Sequence, residues 1–68
     1  MLDQKKLKAS MILKGYSGEK LAKEIGMAPK TFYRKFKTGN FGADEIMTIS
    51  DKLEIEDIAE IFFAKEIS

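Results

Sequence analysis

Glycine and proline punctuation leaves this chain only short segments to fold with. Gly15, Gly26, Pro29, Gly39 and Gly42 interrupt it at close intervals, and between them apolar residues recur at spacings of three and four rather than two. No β-branched run reaches strand length. An all-α fold of five short helices is the expectation, and 68 residues at 44% hydrophobic composition suffice for one small domain spanning 1–68.

The first helix is expected over residues 3–14, burying Leu7 and Met11, with Gly15 ending it in a left-handed conformation. Ser17 is a natural N-cap for a second helix over 18–25, which places Leu21, Ala22 and Ile25 inward and stops at Gly26. Pro29 suits the first position of a third helix, running to 36 or 37, because it lacks the N–H that would be orphaned there. "TGNFG" at 38–42 reads as a loop. A fourth helix over 43–53 carries Ile46, Ile49 and Leu53 on one face, with Asp44 and Glu45 in the first turn, where the helix dipole favours acids. A fifth is expected over 56–65.

Charge changes sign at the loop. Residues 1–40 hold ten basic and three acidic side chains, a balance of +7, whereas residues 41–68 hold two basic and eight acidic, a balance of −6. Solvated helix faces are usually charged, but a split of this size suits a domain with one face turned to a polyanion. With no cysteine and no histidine, the chain lacks a thiol nucleophile, an imidazole base and soft metal ligands, so neither an enzyme, a metal site nor a cofactor is expected. "MIL" and "IFFA" fall far short of the roughly 20 apolar residues that span a bilayer, and "MLDQKKLK" has no signal-peptide core. Glu60 and Glu66 argue against binding at an anionic membrane surface. A soluble, cytoplasmic protein with no small-molecule substrate is expected.

The third helix carries the most specific pattern. Phe32 and Phe36 share an inward face, while Lys30, Tyr33, Arg34 and Lys37 occupy the opposite arc at spacings of three and four. Three cations and one phenol on a helix can enter the major groove of B-DNA, where Arg and Lys donate to guanine and Tyr contacts base edges or phosphate.

Ala22, Ile25, Gly26, Met27 and Phe32 carry a resemblance that covers nearly the whole chain. Their joint spacing is similar to that of the helix-turn-helix domains of the Cro and phage-repressor type, the xenobiotic-response-element class. The resemblance implies a compact, five-helix lambda-repressor-like domain with its helix-turn-helix over about 17–37, whose second helix lies across the DNA backbone while the third enters the major groove. It implies base contacts from Pro29, Lys30, Tyr33 and Arg34, and phosphate contacts from Ser17, Gly18, Lys37, Thr38, Gly39 and Asn40. Two features depart from the family pattern. Ala28 and Pro29 stand where polar base readers are usual, and Gly18 stands where the family often has Gln, removing a usual phosphate clamp.

The resulting expectation is a transcriptional regulator of phage or prophage type, binding a double-stranded DNA operator as a homodimer in the cytoplasm of a bacterial host, associated with the nucleoid. Phe63 and Ile67, four apart on the fifth helix, together with Phe41, are the expected dimer contacts. The alternative is a helical protein-interaction module, an antirepressor-like adaptor that kept the fold without binding DNA.

Overall fold

Three of the helices begin on a side chain that accepts an orphaned first-turn amide, and one on a proline that has no amide to orphan. The computed structural model describes residues 1–64. Helix α1 (Gln4–Leu13) opens on Asp3, whose carboxylate accepts the Lys6 N–H, and α2 (Gly18–Glu24) opens on Ser17, whose hydroxyl oxygen accepts the Lys20 N–H. Helix α3 (Pro29–Thr38) follows Ala28, held extended at φ −65° and ψ 139°, with Pro29 at the first helical position. Helix α4 (Ala43–Leu53) starts after Gly42, whose N–H donates to the Glu45 carboxylate at 2.8 Å. Helix α5 (Ile58–Phe62) opens on Asp57, which accepts the Glu60 N–H. Among the described residues there is no strand, so the fold is all-α with five helices.

The core is built from every helix. Leu7, Leu21, Phe32 and Ile49 are its most deeply buried large side chains, joined by Met11, Ala22, Ile46, Leu53, Ile61 and Phe62. The radius of gyration of 11.0 Å equals the roughly 11 Å expected of a compact chain this long. Among the described residues four ion pairs add surface ties: Lys6–Glu60, Lys14–Glu54, Lys35–Glu45 and Lys52–Glu24. Each joins the residues before Asn40 to those after it.

Three helices, α1, α2 and α5, are shorter than expected, α3 runs on to Thr38 in the expected loop, and one expected surface residue is internal. Ile25 caps α2 instead of extending it, and α5 gives up residues at both ends because Asp57 serves as its N-cap and Phe63 as its C-cap. Phe41 is a core residue, 8% exposed, with its ring 5.7 Å from that of Phe32 and 6.2 Å from that of Phe62. It therefore offers no surface to a second subunit, contrary to its expected place in a dimer contact. Burial of an aromatic ring outweighs loop position here, since packing Phe41 closes the core between α3 and α5. Ile67, the other half of the expected apolar pair, lies outside the described residues.

Candidate nucleic-acid interface

Helices α2 and α3 pack against each other, linked by the tight segment from Ile25 to Ala28 in which Gly26 takes φ 73°. The Met27 N–H returns to the Ala22 carbonyl at 2.8 Å, which draws the start of α3 back onto α2. With Phe32 fully buried and Phe36 half-buried beneath it, the helical period turns Lys30, Tyr33, Arg34 and Lys37 outward, and all four are exposed. Pro29 is half-buried.

Ion pairing divides the cations of the basic half into two groups. Lys6, Lys14 and Lys35 are each held by a glutamate of the acidic half, Lys35 at 2.6 Å from Glu45 with both side chains only about a quarter exposed (27% and 26%). Among the described residues, Lys5, Lys8, Lys20, Lys23, Lys30, Arg34 and Lys37 enter no ion pair. The Lys20 ammonium instead lies 5.1 Å from the centre of the Tyr16 ring. The positive field that remains is thus concentrated on α2, α3 and the first half of α1.

Three of the paired groups shift with their partners' charge. The Lys35 ammonium, aided by the Gly42 N–H, holds the Glu45 carboxyl below its ordinary range, and the Lys14 ammonium does the same to Glu54. The Glu60 carboxylate raises Lys6. Each shift favours the charged form of an existing ion pair.

Several expected phosphate contacts are already committed within the protein. The Gly39 and Asn40 N–H groups both donate to the Lys35 carbonyl, at 2.7 and 3.1 Å, in a C-terminal cap that requires Gly39 at φ 75°. The Thr38 hydroxyl donates to the Arg34 carbonyl at 3.1 Å. The Ser17 oxygen accepts the Lys20 amide but keeps its O–H free to donate. What remains for an anion near the C-terminus of α3 is the Lys37 ammonium and the exposed Asn40 side chain.

Gly18 is buried, and the cause lies on the neighbouring helix. A β-carbon built there would stand 2.6 Å from the Tyr33 hydroxyl oxygen and 2.7 Å from its ring. Tyr33 itself stays 52% exposed, so its phenol covers the first residue of α2 while still facing water. The Tyr33 side chain thus occupies the space that a side chain at position 18 would take.

Two residues of α1 belong to the same surface and carried no sequence signal, because only folding brings α1 to the end of α3. The Gln4 side-chain amide donates to the Phe36 and Lys37 carbonyls at 3.1 and 2.9 Å, capping α3 from outside. Lys8 lines a cleft with Gly18, Tyr33 and Phe36. No family model matches the chain, and no curated protein or solved structure matches it either.

Proposed function

We propose that this protein is a sequence-specific binder of double-stranded DNA that regulates transcription, with α2 and α3 serving as a helix-turn-helix. The reading rests on one observation: α3 presents Lys30, Tyr33, Arg34 and Lys37 on one exposed arc, and none of these cations is neutralised by a carboxylate among the described residues. A helix of this width fits the major groove, and an unpaired Arg or Lys on it can donate to guanine O6 and N7. Lys30 and Arg34 take the base edges. Lys37 and Asn40 take phosphates beyond the end of α3, the Ser17 hydroxyl donates to a phosphate beside α2, and the Tyr33 hydroxyl, lying over Gly18, does the same at the junction of the two helices.

A two-fold operator requires two such domains about 34 Å apart, one turn of DNA. Phe63, 60% exposed at the end of α5, is the contact we assign to the homodimer.

Titration of fluorescent duplex DNA at several salt concentrations tests the reading. Binding is expected at low salt and should fall steeply as salt rises, since each neutralised phosphate contributes a slope of about −0.9 in log K against log salt. Undetectable binding at low salt, or a slope near zero, would remove the proposal.

A further inference from the structure

The turn between α4 and α5 carries a second surface that the nucleic-acid reading does not use. Glu54 ends α4 in a left-handed conformation, φ 53°, and directs the chain across the end of α1. Two adjoining open depressions, sharing Glu54 and Ile55, make up a groove here: Leu13 lines the first, Met47 and Ile58 the second. Leu13 is 83% and Met47 60% exposed, so each depression is lined by one strongly exposed apolar side chain. No residue of α2 or α3 lines the groove.

Among the described residues the unpaired charges on its rim are all acidic, since Lys14, which also lines it, is held by Glu54. Asp51, Glu56 and Asp57 are exposed and enter no ion pair among the described residues, while Glu54 and Glu60 hold Lys14 and Lys6. Ser50, which also lines the groove, is 4% exposed, and its hydroxyl has no hydrogen-bond partner among the described residues. Exposed apolar side chains beside unpaired carboxylates suit an occupant that is both apolar and cationic.

We propose that this groove docks a basic amphipathic helix of another protein, seating apolar side chains between Leu13 and Met47 and placing lysines or arginines against Asp51, Glu56 and Asp57. The basic arc of a second copy is a poorer fit, because Lys30, Arg34 and Lys37 flank a single large apolar side chain, Tyr33. The proposal does not depend on DNA binding, since the two surfaces share no residue.

The test uses the full chain, isotopically labelled, and a synthetic amphipathic helix of about 15 residues with leucines on one face and lysines on the other. Amide resonances of Leu13, Met47, Glu54, Ile55 and Ile58 are expected to shift saturably, while a peptide with glutamate in place of lysine produces no shift. Leu13→Gln together with Met47→Gln should weaken peptide binding roughly tenfold, with helical circular dichroism unchanged because both side chains are exposed. Equal response to both peptides, shifts centred on α3, absence of saturable shifts, or concentration-dependent shifts of the groove without peptide would each overturn the proposal. The last result would identify a second copy as the occupant.

Discussion

Tyr33 of α3 lies across Gly18 of α2, so closely that any side chain at position 18 would begin 2.6 Å from the Tyr33 hydroxyl oxygen. The two residues are complementary, because glycine leaves the space and the phenol fills it while Tyr33 as a whole stays 52% exposed. A residue with a side chain at 18 and the present Tyr33 conformer exclude each other.

Gly18→Ala therefore acts through Tyr33. The exposed ring can swing outward, and alanine has the better helix propensity, so thermal stability should move by less than about 1 kcal/mol. Affinity for duplex DNA should nevertheless fall by roughly 1 to 2 kcal/mol as the hydroxyl leaves its position. In a Tyr33→Ala background the same substitution should have little further effect, and a double-mutant cycle of binding energies measures this. Additive losses would show that the two positions act separately.

Ion pairing predicts which lysines the salt dependence reports. Lys37→Ala should lower the slope of log K against log salt by about one, whereas Lys35→Ala should leave it nearly unchanged because Glu45 already holds that ammonium. Equal changes for both variants would contradict the division into paired and unpaired cations.

Local signals in the sequence were sufficient for most of the fold. Ser17 as a cap, Pro29 at the head of α3, and the bounds of α4 all depend on neighbours within one turn, and the structure has them as expected. Longer-range relationships were not legible. Phe41 sits in a loop by composition, and only the positions of Phe32 and Phe62 show that it must be internal. Gly18 read as a missing clamp because nothing local reveals that Tyr33 occupies its space. The charge split was visible, but its partial neutralisation by glutamates distant in sequence was not.

Acid should weaken the protein in a defined direction. The folded-state carboxyls of Glu45 and Glu54 lie below their ordinary values, so the unfolded chain binds more protons than the folded one as pH falls. Their contribution is present above the ordinary glutamate range and is lost as pH drops through the lowered folded-state values. Glu45→Gln, which also weakens the contact to Gly42, should cost about 1 kcal/mol at neutral pH and flatten the acid limb of a urea-denaturation series. An acid limb as steep as that of the parent protein would contradict the assignment to Glu45.

Phe41 and Phe63 should separate core from interface. Phe41→Ala removes a buried ring and should destabilise by about 3 kcal/mol or more. Phe63→Lys, at an exposed position, should change stability by no more than about 0.5 kcal/mol while shifting the sedimentation mass to that of a monomer. A Phe63→Lys protein that stays dimeric would rule out this contact.

Selection of bound duplexes from a random oligonucleotide pool tests DNA recognition by α3 most directly. The expected product is a two-fold motif with half-site centres about 10 base pairs apart, in which Arg34→Ala relaxes the preference at one base pair per half-site at a cost of roughly 1 to 3 kcal/mol. A pool that retains no sequence preference, or an Arg34→Ala protein that loses affinity equally for selected and random DNA, would contradict base recognition by this helix.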